Sequence, residues 1–149
     1  MSGAVTAHEV TIRRVLEAPR DEVWSAWTEP ARLAAWWGPA GWTTPPGNVS
    51  IDLQPGGTLE ITSVSDEDGT EMTSVGVFSE IVEPERLAFE EPPEDNWHEG
   101  ASSSVTFRDL GDGRTEMVLH STIHTTDEMI VHAEAGMNGS VDRLAELLA

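Results

Sequence analysis

The groups of this 149-residue chain that could move a proton or hold a metal are five histidines and 27 acidic side chains. His120 and His124 share one face of an extended segment, and His132 follows in the next stretch. Three imidazoles can hold zinc, but a helical pattern begins between His124 and His132 and breaks the extended register. No H-E-x-x-H motif is present either. No metal site is assigned, and hydrogen-bonded or solvated histidines are expected. His120 or Glu80 would serve as a general base in a cyclase or hydrolase pocket if buried, because burial moves either pKa toward neutrality. Nothing in the sequence sets either one inside, so they are weak candidates and no catalytic residue is assigned. Ser102-Ser103-Ser104 and Gly136-Met137-Asn138-Gly139-Ser140 offer hydroxyls without a G-x-S-x-G elbow, and a serine without a positioned base is a weak nucleophile. They read as strand edge and helix packing. Gly56-Gly57 and Gly111-Asp112-Gly113 lack the lysine or the strand-to-helix setting of a phosphate loop and read as turns.

Charge narrows the partners. All eight basic side chains are arginine, and 8 − 27 gives a net charge of −19. Such a surface repels phosphate backbones and anionic lipid headgroups, so neither nucleic acid nor a membrane is expected as a partner. Zero cysteines removes disulfides, thiolate catalysis and cysteine-held metals. Arg13, Arg14, Glu17, Arg20, Asp21 and Glu22 interrupt the first thirty residues, which predicts neither a signal peptide nor a spanning segment. A cytoplasmic protein of one domain, residues 1–149, is the expectation, with no cofactor.

The remaining chemistry is apolar. Six tryptophans are suited either to a core or to a pocket wall. Trp24, Trp27 and Trp37 are expected in the core, because helix faces must bury something. Trp36, Trp42 and Trp97 adjoin loops and are candidates for the mouth of a pocket. Met72, Phe78, Phe89, Phe107, Met117 and Leu119 on strands, with Met129, Ile130, Ala133 and Met137 on the last helix, supply adaptable surface on opposed elements. These are the candidate ligand-binding residues.

The elements that position them follow from periodicity. Val10, Ile12 and Arg14 alternate with Thr11, Arg13 and Val15 in a first strand over residues 8–16. Proline followed by Arg20-Asp21-Glu22, with Val23, Trp24 and Trp27 at helical spacing, predicts a short amphipathic helix. A second starts at Thr28-Glu29-Pro30, buries Leu33, Trp36 and Trp37, and ends at Gly38-Pro39. Residues 42–48 read as a loop. Val49, Ile51 and Leu53, separated by Pro55-Gly56-Gly57 from Leu59 and Ile61, form a hairpin. A long strand runs from Met72 to Val82, with Gly76 marking a bend, a bulge or a close backbone approach. A brief strand holds Leu87 and Phe89, and Glu90 to Asn96 reads as a mobile loop because its prolines and charges exclude packed structure. Val105 and Phe107, then Met117, Leu119 and Ile123, form a last hairpin. From Asp127 onward Ile130, Ala133, Met137, Val141, Leu144 and Leu148 recur at helical steps, with Thr126 or Asp127 as cap. Gly136 and Gly139 each weaken that helix by about 1 kcal/mol against alanine, so a close approach to another element is expected to offset the loss.

Several of these stretches resemble a known family. Ala18-Pro19-Arg20-Asp21-Glu22-Val23-Trp24-Ser25-Ala26-Trp27-Thr28-Glu29-Pro30, with Leu33, Trp36-Trp37-Gly38-Pro39 and Gly41-Trp42-Thr43, is similar to the opening of SRPBCC proteins. The branch is the one named for activators of the heat-shock-protein-ninety ATPase. The Asp52-Leu53-Gln54-Pro55-Gly56-Gly57 hairpin, the Gly76–Val82 strand with Pro84-Glu85-Arg86-Leu87, and the closing Asp142–Leu148 segment agree with that family's order. Gln54 stands where arginine is usual and Met137 where an aromatic is common. The resemblance implies an α+β helix-grip fold of the START/Bet v-like type. In it a curved antiparallel sheet of about seven strands wraps a long C-terminal helix, and two short helices follow strand one. It implies a binding domain for a small hydrophobic or amphipathic molecule held between sheet and helix. The alternatives are a cyclase- or dehydratase-like enzyme using the same cavity and a protein that engages a chaperone through its acidic face. The sequence leaves monomer and homodimer both open.

Overall fold

The computed structural model describes residues 4–38, 41–93 and 98–149. Pro39, Trp97 and the Glu94-Asp95-Asn96 part of the predicted loop lie outside the described residues. Alternation builds the sheet: in β1 (Thr6–Leu16) Val10, Ile12 and Leu16 are buried while Thr11 and Arg13 between them face water. In the last two strands, β7 (Ala101–Asp109) as far as Phe107 and β8 (Thr115–Thr125) throughout, every second residue is buried, as expected when one sheet face meets a core and the other meets solvent.

Between them the chain forms α1 (Arg20–Thr28), α2 (Pro30–Ala34), β2 (Trp42–Thr43), a short 3-10 turn (Pro46–Asn48), β3 (Val49–Ile51), β4 (Thr58–Ser65), β5 (Glu71–Val82) and β6 (Arg86–Glu91). Asp21 and Glu22 lie in the first turn of α1, where the helix dipole favours acids. α2 is shorter than predicted, and Trp36 and Trp37 follow it in a turn whose N–H groups both donate to the Leu33 carbonyl, at 3.3 and 3.0 Å. β2 falls inside the predicted loop and pairs with Ser65 and Val64. Two residues are too few to show alternation. β6 also runs past Phe89, and its Glu90 and Glu91 pair with Ser102 and Ala101 rather than beginning a loop.

The strand order is β1-β8-β7-β6-β5-β4-β2, antiparallel throughout, with β3 also paired to β4. Eight strands therefore stand where about seven were expected. Ser102-Ser103-Ser104, expected at a strand edge, lie in β7, which is flanked on both sides by β6 and β8. Two glycines are required by close approach. A Cβ on Gly57 would sit 2.2 Å from the Asp52 carbonyl oxygen, and one on Gly76 would meet the Phe89 ring at 3.3 Å. The bulge of β5 comes slightly later, between Phe78 and Glu80.

The C-terminal helix α3 (Asp127–Leu147) is capped by Thr126, whose side chain accepts from the Met129 N–H at 3.2 Å. It seats most closely at its C-terminal end. Val141, Leu144 and Leu148 are buried, whereas Ile130, Ala133 and Met137 are half-buried. Arg14 of β1 donates to Asp142 at 2.7 Å, and Thr115 donates to the Ala18 carbonyl at 2.8 Å, both near the end of the sheet where Leu16 pairs with Thr115. The architecture is the α+β helix-grip fold. Among the described residues no helix is long and apolar enough to cross a membrane.

Candidate functional site

Where α3 stands off from the sheet, the side chains on both walls are small. Ser74, Ser103 and Ser121 face inward from β5, β7 and β8, opposite Ala133, Gly136 and Ser140 of the helix. Side chains of that size cannot meet across the gap, so a cavity of about 570 Å³ remains. Further along the same strands, Val105, Phe107 and Met117 are large and fully packed, and there the space closes.

The deep end of the cavity is aromatic. Trp27, Trp36 and Trp37 line it and pack edge to face, with ring centroids 4.9 Å apart for Trp27–Trp36 and 5.7 Å for Trp36–Trp37, the arrangement favoured by their quadrupoles. Trp36 donates its indole N–H to the Ala26 carbonyl at 2.9 Å. The Trp27 indole N–H is buried and has no hydrogen-bond partner among the described residues. A buried donor left so is costly, and this one belongs to a ring on the cavity wall. The opposite end opens between Glu71, Met72 and Thr73 of β5 and His132 of α3, all exposed.

The middle carries a polar strip. The Ser103 hydroxyl donates toward Glu91 Oε2 at 3.4 Å and lies 2.7 Å from the Ser121 hydroxyl. Either hydroxyl can donate to the other, and two hydroxyl protons stand against the lone pairs of two hydroxyls and a carboxylate, so acceptors outnumber donors along the strip. Among the described residues no arginine lines the cavity, and its ionisable groups are Glu71, Glu91 and His132.

Arg143 latches the deep end. It donates to the Gly38 and Trp42 carbonyls at 2.9 and 3.2 Å, while Ser140 accepts from the Gly38 N–H at 3.1 Å. Thr44 donates to the Trp37 carbonyl at 3.0 Å on the same loop. The other seven arginines each lie within 4 Å of a carboxylate, and among the described residues Arg143 does not.

Of the candidate ligand-binding residues, Trp36, Met72, Phe89, Leu119, Met129, Ala133 and Met137 line the cavity. Trp36 lies at its buried end rather than at the mouth, being 1% exposed. Phe78, Phe107 and Met117 point inward but are core: Phe78 packs on Phe89, Phe107 on Trp24 and Trp27. Ile130 packs half-buried against that core. Trp42 is half-buried in β2 and away from the cavity, and Trp97 lies outside the described residues. Trp27 and Trp37, expected only in the core, form cavity wall as well as core. His120 and Glu80 stand on the outer face of the sheet, lining a separate open groove; His120 is 3.2 Å from Glu9, and Glu80 accepts from Arg86 at 2.5 Å. Among the described residues no three metal-ligating side chains gather.

The signal for the missed wall was the size of the inward residues. Ser103 and Ser121 sit in register across β7 and β8, each between apolar inward neighbours, Ala101 and Val105 for one and Leu119 and Ile123 for the other. Their pairing was invisible until the hairpin register was known.

The sequence model for Activator of Hsp90 ATPase homolog 1-like protein matches residues 17–149. The chain belongs to this family. Solved structures similar to this family member include a protein from Chromobacterium violaceum, 23% identical, covering 94% of this chain and 96% of that one with a TM-score of 0.80. Another, from Arthrobacter aurescens, is 23% identical and covers 97% of this chain and 90% of its own, also at 0.80. The AHSA1 protein of Silicibacter pomeroyi is 23% identical, with 95% and 97% coverage and a TM-score of 0.76. At such identities these likenesses speak for the fold. No curated protein matches the chain. Of the two departures from the family pattern, Gln54 donates to Asp52 at 3.1 Å on an exposed turn, whereas Met137 is part of the cavity wall.

Proposed function

We propose that this domain binds a small hydrophobic or amphipathic molecule in the space between its sheet and α3. The observation that carries the reading is the cavity of about 570 Å³, walled by tryptophan, methionine and small side chains and open at one end. Its size falls within the range of small-molecule sites, and a few polar groups on apolar walls are what such sites use to orient a ligand. The catalytic version of the reading called for His120 or Glu80 at the cavity wall; their place on the outer face favours binding over turnover.

Trp27, Trp36 and Trp37 line the cavity, so occupancy has an intrinsic reporter. Titration with the neutral fluorophore N-phenyl-1-naphthylamine is expected to give saturable, one-to-one energy transfer from tryptophan. Ala133→Trp, which places an indole in the opening half of the cavity, is expected to weaken that binding at least tenfold. A non-saturating signal, or one indifferent to Ala133→Trp in a folded protein, would remove the proposal.

A further inference from the structure

We infer that the preferred guest is an apolar amine carried in its protonated form, with its nitrogen at the polar strip of Glu91, Ser103 and Ser121 and its hydrocarbon body along the tryptophan end. This rests on the binding reading above and names its ligand class.

The first argument is charge. A guest with a carboxylate or phosphate head would enter a cavity whose wall, among the described residues, carries Glu71 and Glu91 and no arginine, in a chain with no lysine. Seven arginines are engaged by carboxylates elsewhere, and Arg143 by the Gly38 and Trp42 carbonyls. His132 on the wall is exposed at the mouth, so among the described residues an anion losing its water at the polar strip gains no arginine or lysine in return, and a buried charge needs a partner. An ammonium meets the opposite situation, helped by the field of a molecule at −19 that concentrates cations at its openings.

The second argument is the balance of donors and acceptors along the polar strip. Whichever serine donates to the other, the strip holds two hydroxyl protons against the lone pairs of two hydroxyls and the Glu91 carboxylate, so oxygen lone pairs are in excess. An ammonium brings three donors and no acceptor. It can share the half-buried carboxylate with Ser103 and place another proton on a serine oxygen, a charge-assisted geometry stronger than neutral pairs. An alcohol of the same length can donate once and without charge.

The experiment displaces N-phenyl-1-naphthylamine from the whole protein with decylamine, decanol and decanoate at one ionic strength. These share a ten-carbon chain and differ at the head. Decylamine is expected to bind about tenfold more tightly than decanol, the scale of a hydrogen bond to a charged group, and decanoate most weakly. Glu91→Gln is expected to lower decylamine affinity by about tenfold and to leave decanol nearly unchanged. Glu60→Gln, on the exposed face of β4, makes the same change in net charge and is expected to leave both alone. Should Glu91→Gln not fold, Glu71→Gln at the mouth tests the same charge argument and is expected to weaken decylamine selectively by a smaller factor. Decanoate binding as tightly as decylamine overturns the inference while the cavity reading stands. Equal losses from Glu60→Gln and Glu91→Gln overturn it too, since the preference would then be a property of the overall field. Failure of the naphthylamine probe itself to bind removes both readings.

Discussion

Replacing Gly136 by leucine asks whether the space under α3 is real without any ligand in hand. Gly136 lies within the helix and on the cavity wall, half-buried. Two contributions act in the same direction if the space is there. Removing glycine from a helix interior is stabilising by about 1 kcal/mol. A leucine side chain gains about 2 kcal/mol when fully buried, and half of that, about 1 kcal/mol, at a half-buried position. The sum of about 2 kcal/mol corresponds to a rise in Tm of about 4–8 °C for a chain of this length. If sheet and helix instead meet tightly at this point, leucine overpacks the contact and costs about 1–3 kcal/mol, so the sign of the shift decides. Gly136→Ala serves as reference, because it carries the helical gain with little filling; the difference between the two variants isolates the cavity. Thermal unfolding followed by circular dichroism, with naphthylamine titration of the same samples, reads both consequences. Leucine should stabilise and at the same time weaken the probe. A Gly136→Leu protein less stable than Gly136→Ala by more than 1 kcal/mol would refute the geometry on which the proposed function stands.

Two further outcomes follow from other parts of the molecule. Arg143→Met withdraws a charged donor from the Gly38 and Trp42 carbonyls and should cost about 2 kcal/mol. Arg108→Met, which removes an arginine 72% exposed and 3.5 Å from Glu116, should cost less than about 1 kcal/mol; equal melting temperatures for the two variants would contradict the latch. In the β7–β8 turn the Asp112 carboxyl is held below its ordinary value of 3.8, first by the hydrogen bond from the Arg114 side chain and then by its charge. A carboxylate depressed in the folded state contributes stability that is present above its unfolded pKa and is lost as pH falls through the folded one. Carboxyl titration by NMR should therefore place the Asp112 midpoint below 3.8, and Arg114→Ala should raise it; an unmoved midpoint would show that the pair does not form in solution.

Most of the fold was legible because its elements are amphipathic in the simplest way. Val10 and Ile12 in β1, or Met117 and Leu119 in β8, announce a half-buried sheet by period two, and Val141 and Leu144 announce the helix face by steps of three and four. The proline entries of both short helices and the Thr126 cap rest on local chemistry, which needs no knowledge of the rest of the chain. β2 and the continuation of β6 through Glu90 and Glu91 were not legible, because a neighbouring strand holds them and their own residues carry no pattern strong enough to predict them.

The site divides along the same line. Residue type alone marked Phe89, Leu119, Met129, Ala133 and Met137 as surface that could face an oily guest. It could not separate them from Phe78, Phe107 and Met117, which have the same chemistry and the same inward parity but meet large partners. What decides between wall and core is the size of the residue across the gap, a property of pairs brought together by hairpin register and by the tilt of α3. Sequence by itself therefore determined which side chains face inward. Only the tertiary structure decided that serines from separate strands and a glycine from the helix converge on one place, where short side chains fail to span the distance and leave a room with an acceptor-rich wall.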